Sequence, residues 1–176
     1  LRRDAMQGAA RIIAAVETVG RQESAGGVAT VGQIFCEPGQ ANVVPGRVRF
    51  SVDVRHSDKA RLEAMAAGVA YVAENVSKAR NLLCHIDVKA EAEPVRMSPE
   101  ICDLIEKVAA TRGVESVRVS SGAGHDTGII AGIAEAGMIF VPSRDGRSHC
   151  AEEFTKVEDI ALGAEILLET VLELAK

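Results

Sequence analysis

The segment RVRFSVDVR, residues 47–55, constrains the fold more than any other part of this sequence. Val48, Phe50, Val52 and Val54 alternate with Arg47, Arg49, Ser51, Asp53 and Arg55. A two-residue period places the two sets on opposite faces of a strand, one apolar and one charged. Such a strand needs a layer over its apolar face, and the flanking segments offer one. After Ser57 or Asp58 as a cap, Leu62, Met65, Val69, Val72 and Val76 recur at spacings of three and four, the stripe of an amphipathic helix. A second alternating run follows in LLCHIDVKAE, where Leu82, Cys84, Ile86, Val88 and Ala90 oppose Leu83, His85, Asp87, Lys89 and Glu91.

Upstream, Asp4 caps a helix with Met6, Ala10, Ile13 and Val16 at helical spacing, and Gly26-Gly27 ends it. VATVGQIFC reads as a strand whose alternation is disturbed at Gly32, and EPGQANVVPG as a turn-rich connection. The order helix, strand, strand, helix, strand is that of a ferredoxin-like split βαβ unit lacking its first strand. That strand is expected before Leu1. With no initiator Met present, the 176 residues are expected to be a piece of a longer protein.

AEPVRM is a linker, beyond which Ser98 caps a helix with Pro99 at its first position and Ile101, Leu104, Ile105 and Val108 on one face. ESVRV is a short strand, SSGAGHDTG a loop, and residues 126–136 a helix. MIFVPS is apolar enough for a strand buried on both faces, so this half is expected to hold a parallel βαβ unit. Thr155 and Glu158 have capping-box spacing for a last helix that buries Ile160, Leu167, Val171 and Leu174. The expected class is α/β, with an α+β first part and no internal repeats.

A formal charge of −5 argues against nucleic acid or an anionic membrane as partner. No apolar run approaches the roughly 20 residues of a membrane-spanning helix. With aromatics at 3%, the core must be aliphatic. Cys36, Cys84, Cys102 and Cys150 form no C-x-x-C pair and sit in or beside apolar segments, which predicts buried free thiols and a reducing cytoplasm.

Glycines at 122, 124 and 128 in SSGAGHDTGII resemble a nucleotide-binding fingerprint. The loop comes late in the chain and lacks the G-K-[ST] of a phosphate loop, while a strand-to-helix turn alone would not call for His125 and Asp126. His149 follows the MIFVPS strand at the edge where sheets of this kind collect ligands. His56 and His85 are expected on the solvated outer face of the first unit. Arg55 shares the polar strand face with Asp53 and Arg49, which suits either a surface ion-pair ladder or a guanidinium fork for a carboxylate.

GQANVVPGRVRFSVDVRHSD, SGAGHDT and MIFVPSRDGRSHCAEEFTKVEDIALGAEIL, taken in order, resemble the metal-dependent amidohydrolases of the M20 peptidase family. The branch is that of allantoate amidohydrolase, N-carbamoyl-L-amino acid hydrolase and the β-ureidopropionases. The resemblance implies that residues 1–91 are most of a ferredoxin-like lid that also forms a homodimer, and that 92–176 are the C-terminal segment of a catalytic domain. It implies substrate-binding roles for Asn42, Arg55, Gly124 and His125, with Arg55 on a substrate carboxylate. His149 would be a metal ligand in an S-H-x-P-x-E pattern, with Ala151 standing where relatives carry Pro. Two divalent metals, zinc or manganese, are implied for the intact enzyme, with the catalytic base and most ligands upstream of Leu1. The substrate would be a ureido acid whose C–N bond is hydrolysed. Two other readings remain from the residues themselves: a non-catalytic dimerisation or ligand-binding module, and a nucleotide-binding fold using the loop at residues 122–128.

Overall fold

A computed structural model describes residues 2–23 and 26–176 of the chain. The chain divides into two units, Leu1–Pro94 and Val95–Lys176.

In the first unit, α1 (Ala5–Gln22) starts where Asp4 accepts a hydrogen bond from the Gln7 amide at 3.1 Å. Its buried stripe is Gly8, Ala9, Ile12 and Val16. Only Val16 of the predicted face is fully buried; Ala10 is exposed, and Met6 and Ile13 are half-buried. The rotation has a steric cause. A Cβ at Gly8 would lie 2.5 Å from Leu82 Cδ1, so the glycine face is the one that can meet Leu82.

Four short strands follow: β1 (Val28–Thr30), β2 (Ile34–Glu37), β3 (Arg47–Phe50) and β4 (Asp53–Arg55). β1 pairs antiparallel with β4, and β2 with β3. Thr30 faces Asp53 and Ile34 faces Phe50, so residues 31–33 oppose only residues 51 and 52. The four strands are therefore one hairpin interrupted by a β-bulge, closed by Ser51 N–H to the Gln33 carbonyl and Gln33 N–H to Ser51 Oγ, both 3.1 Å. The extra residue reverses the facing of the first strand. Ala29 and Val31 turn inward before it and Cys36 after it, which is why the alternation around Gly32 looked disturbed. The opposite strand keeps its predicted alternation throughout.

α2 (Lys59–Ala79) is capped by Asp58, which accepts from the Arg61 amide at 3.0 Å. Met65 is buried and Leu62, Val69, Val72 and Val76 are half-buried, on the face predicted. α1 and α2 pack together, with α1 against β1 and α2 against β4. The run at residues 82–91 enters no ladder among the described residues. Leu82 packs toward Gly8, but Leu83 is fully exposed, and residues 84–91 are exposed as well. Period two is present there without a neighbouring strand to pair with.

In the second unit, α3 (Pro99–Thr111) is capped by Ser98, which accepts from the Ile101 amide at 3.4 Å. α4 (Asp126–Ile130) is shorter than the predicted 126–136, and turns continue to Ala134. Gly128 and Gly132 both fall in that window and weaken a helix by roughly 1 kcal/mol each. A 3₁₀ turn (Arg144–Gly146) precedes α5 (Val157–Leu174). The predicted capping box does not form: Lys156 is the N-cap and no side chain caps the helix. The helix begins too late for Thr155 to reach its first amides.

Val108 and Ala109 of α3 and Ile166 of α5 form the core, joined by Leu104, Ile105, Val114, Ile139 and Leu162. The predicted α5 face is not the buried one. Ile160, Leu167, Val171 and Leu174 are each about half-exposed, whereas Ile166 and Thr170 are buried. α5 is apolar around most of its circumference, so periodicity alone allows two stripes. The buried stripe is the one that meets α3, where Ile166 joins Val108 and Ala109; Arg112 pairs with Glu165 and, at 2.6 Å, with Glu169, and Thr170 meets its own polar need by donating to the Ile166 carbonyl at 2.8 Å. Among the described residues of this unit no strand ladder forms, so the expected βαβ pairing is not seen. Met138, Ile139 and Val141 are half-buried and Phe140 is exposed, rather than buried on both faces. All four cysteines are free thiols, but Cys84 and Cys150 are exposed, contrary to the burial expected. No helix among the described residues is long and apolar enough to cross a membrane.

Candidate functional site

The candidate residues fall on both units. In the first, Asp53 and Arg55 lie two apart on β4 and so share its outward face. Arg55 Nε donates to Asp53 Oδ1 at 2.6 Å and Nη2 to Oδ2 at 2.9 Å, a bidentate fork. The hydrogen bond from Arg55 holds the Asp53 carboxyl below the usual carboxylate range, and the same bond raises the Arg55 guanidinium. Both side chains are half-exposed, so the pair contributes at most about 1 kcal/mol. Arg49 does not extend this into a ladder; it lies over the Phe35 ring at 5.0 Å, while Arg47 pairs with Glu37 at 3.6 Å. The Arg55 guanidinium is thus engaged by an internal carboxylate through Nε and Nη2.

Asn42 is exposed in the loop joining β2 to β3, a loop closed by Gly46 N–H to the Glu37 carbonyl at 3.0 Å. Arg55 is at the far end of the same strand pair, opposite Val28. Residues 47–55 span roughly 25 Å at the ordinary strand rise. Asn42 and Arg55 therefore stand at opposite ends of the hairpin.

His56 is not solvated as expected: its side chain is 2% exposed. Nδ1 accepts from the Asp58 amide at 2.8 Å, so the neutral ring carries its proton on Nε2. Among the described residues Nε2 has no hydrogen-bond partner; Glu23 Oε2 is 3.7 Å away and is bonded by Arg61 at 2.9 Å. The signal was available in the sequence, because His56 continues the inward series of Val48, Phe50, Val52 and Val54. His85 is exposed, as expected.

In the second unit the glycine loop is organised by a residue the motif reading passed over. Ser121 Oγ lies 2.7 Å from His125 Nε2 and accepts from the Ala123 amide at 3.1 Å. The His125 ring meets Phe140 edge-on, with centroids 5.6 Å apart. A shallow pocket of about 400 Å³ opens beside His125, with Phe140, Ile160 and Leu167 in its wall. Gly122 and Gly124 do not adopt positive φ, and a Cβ at either would meet no atom within 4 Å. Neither backbone geometry nor crowding within the chain requires glycine there. At Gly124, the absence of a side chain leaves backbone that another molecule can approach. α4, into which the loop leads, has only five residues and no side-chain cap, a weak counterpart to the long helix that receives a nucleotide phosphate.

His149 sits in the connection between the 3₁₀ turn and α5. That connection is pinned by Arg144 N–H to the Phe154 carbonyl at 2.8 Å, by Ser143 Oγ to the Arg147 carbonyl at 2.6 Å, and by the Arg144 guanidinium 4.4 Å over the Phe154 ring. His149 adopts φ of 59°, a left-handed conformation that costs a non-glycine residue about 1 kcal/mol. Its amide donates to Glu153 Oε2 at 2.9 Å, which holds it there, and the residue is exposed. Strain of this kind recurs at functional positions. The donor set fits one metal ligand: an accessible imidazole is present, but no group of three His, Cys, Asp or Glu that could hold an ion exists among the described residues.

This combination, a helix-backed antiparallel hairpin joined to a helical unit that displays a Gly-His loop and a strained histidine, belongs to an established family. Residues 4–173 match the model of Peptidase family M20/M25/M40, and the chain is a member of it. It is 38% identical over 176 residues to the N-carbamoyl-L-amino acid amidohydrolase of Geobacillus stearothermophilus, covering 100% of this chain and 43% of that protein. It is 34% identical over 146 residues to the allantoate amidohydrolase of Bacillus subtilis, covering 83% of this chain and 35% of that one. Among solved structures, the hydantoinase/carbamoylase family amidase of Burkholderia multivorans superposes with a TM-score of 0.92 at 35% identity, over 98% of this chain and 42% of that one. The chain thus spans about two fifths of the length of the relatives it matches.

Proposed function

We propose that this chain is the substrate-gripping part of an M20-type amidohydrolase that hydrolyses the C–N bond of a ureido acid, either an N-carbamoyl-L-amino acid or allantoate. The observation that carries the reading is the loop at residues 121–125, where approachable glycine backbone stands beside a histidine held by Ser121. A ureido carbonyl is a poor electrophile, and the charge that develops on its oxygen needs donors already in place. Backbone amides of the Gly124 region and the His125 ring are such donors. The relatives' names, N-carbamoyl-L-amino acid and allantoate amidohydrolases, support the substrate class.

Arg55 takes the substrate carboxylate with its guanidinium, which Asp53 orients through Nε and Nη2. Asn42 contributes a second polar contact. Their places at opposite ends of one hairpin support a division in which they serve two different active sites of a homodimer. In this reading residues 1–91 form a ferredoxin-like lid and dimerisation domain, and 92–176 the C-terminal segment of the catalytic domain. Two helices on an antiparallel hairpin, with an alternating run at 82–91, support that lid. His149 supplies one ligand to a divalent metal centre, zinc or manganese, whose other ligands and catalytic base come from elsewhere in the enzyme. The metal, when bound, polarises the ureido carbonyl and activates water. Four free thiols suit a cytoplasmic setting.

The test is a substrate panel run on the complete enzyme: N-carbamoyl amino acids and allantoate against the matching N-acetyl amino acids and dipeptides, with release of ammonia and amino acid measured. Turnover restricted to the ureido compounds is expected. Hydrolysis of dipeptides with none of the ureido acids would overturn the assignment.

A further inference from the structure

We propose that Ser121 fixes the tautomer of His125, keeping Nε2 as acceptor and the ring proton on Nδ1, so that His125 meets the substrate's ureido oxygen as an N–H donor. The argument begins with the hydroxyl. Ser121 Oγ receives the Ala123 N–H at 3.1 Å, which uses one of its lone pairs. Its single hydrogen has two possible acceptors: the Ala123 carbonyl at 3.5 Å and His125 Nε2 at 2.7 Å. The first distance is at the outer limit of hydrogen bonding and the second is close to the optimum for a hydroxyl donor. The reverse arrangement, Nε2–H donating to Oγ, would send the hydroxyl hydrogen to the 3.5 Å Ala123 contact; the arrangement with the better geometry has Oγ–H donating to Nε2, and a neutral imidazole that accepts there carries its proton on Nδ1.

That assignment matters because a neutral imidazole with no partner favours the opposite tautomer, with the proton on Nε2. The serine reverses the intrinsic preference. Phe140 fixes the ring plane by its edge-on contact, so Ser121 and Phe140 together define both the orientation of the ring and the nitrogen left for a ligand. Because Ser121 occupies Nε2, the nitrogen that remains for a substrate is Nδ1, and it is a donor. A donor is what a ureido oxygen gaining negative charge requires, whereas an acceptor there would repel it. Ser121 is thus a positioning residue that acts through His125, and its hydroxyl, rather than its size, is the operative feature.

The identity of the substrate in this inference rests on the functional reading above; the tautomer does not. Two measurements separate them. In the 176-residue chain labelled with nitrogen-15 at its four histidines, with His125→Gln assigning the resonance, NMR reads which ring nitrogen bears the proton. The expected result is a protonated Nδ1 at His125, shifting toward protonated Nε2 in Ser121→Ala and returning in Ser121→Thr. In the complete enzyme, Ser121→Ala should lower kcat for a ureido acid at least about tenfold, with KM changed much less, and Ser121→Thr should recover most of the loss. A proton on Nε2 in the unsubstituted chain, or a tautomer indifferent to Ser121→Ala, overturns the proposal, as does failure of the threonine variant to recover turnover despite a normal tautomer. If the tautomer behaves as expected while the enzyme hydrolyses no ureido acid, the positioning role stands and the substrate assignment falls.

Discussion

Truncating two adjacent residues of α5 should have sharply different effects. Ile166 is 5% exposed and packs against Val108 and Ala109, whereas Leu167, the next residue, is 54% exposed. Ile166→Ala removes three methyl-sized groups from the core, a transfer loss of about 2.4 kcal/mol at roughly 0.8 kcal/mol each. A residual cavity adds to that at about 24 cal/mol per Å³. The surrounding Leu104, Ile105 and Leu162 are only partly buried and can settle inward, so the added cost stays below about 1 kcal/mol. The sum is about 2.5–3.5 kcal/mol. Leu167→Ala loses the same number of carbons from a side chain that is half in water, and should cost about 1 kcal/mol or less. Urea unfolding of the 176-residue chain, followed by far-UV circular dichroism, gives both values from midpoint shifts at constant slope. A Leu167→Ala cost equal to or above that of Ile166→Ala would refute the assigned rotation of α5.

In the complete enzyme, Arg55→Lys keeps the charge and loses the fork; kcat/KM for a ureido acid should fall by about 1.5–3 kcal/mol in transition-state stabilisation, and by much less for the carboxamide analogue. Equal losses for both substrates would return Arg55 to a surface ion pair with Asp53. His149→Ala should reduce bound metal per subunit, measured by elemental analysis, and abolish most turnover while the circular dichroism spectrum is kept; full metal content with normal activity would remove His149 from the ligand set.

How far the fold was legible depended on where the deciding contact lay along the chain. Residues 47–55 carried their facing in their own alternation. Residues 28–37 did not, because a bulge changes phase at 31–33 and is recognised only against the partner strand. His56 was legible by parity, yet a polar residue at the end of a charged strand invites the opposite reading. The buried face of α5 was not legible, since its apolar residues allow two stripes and the choice is made by packing against Val108 and Ala109, more than fifty residues earlier. The alternating runs at 82–91 and 115–119 and the apolar run at 138–142 show what a sequence window does specify. Each has the composition of a strand, but pairing belongs to a neighbour that no local pattern names. Of the site, His125 and His149 were visible as motif residues. Ser121 was not, because one serine in a glycine-rich loop has no distinguishing pattern until its hydroxyl is seen against the ring.

The bulge at residues 31–33 also governs how this chain should be compared with its relatives. Upstream of it Ala29 and Val31 look into the protein, and downstream of it Cys36 does. A gap placed one column away in an alignment therefore does more than shift a loop. It exchanges the half-buried and exposed identities of Cys36 and Glu37. A substitution profile built on the wrong column would show cysteine tolerated at the surface and glutamate in the core. For this hairpin, the position of a single inserted residue is inherited information of the same weight as the residues themselves.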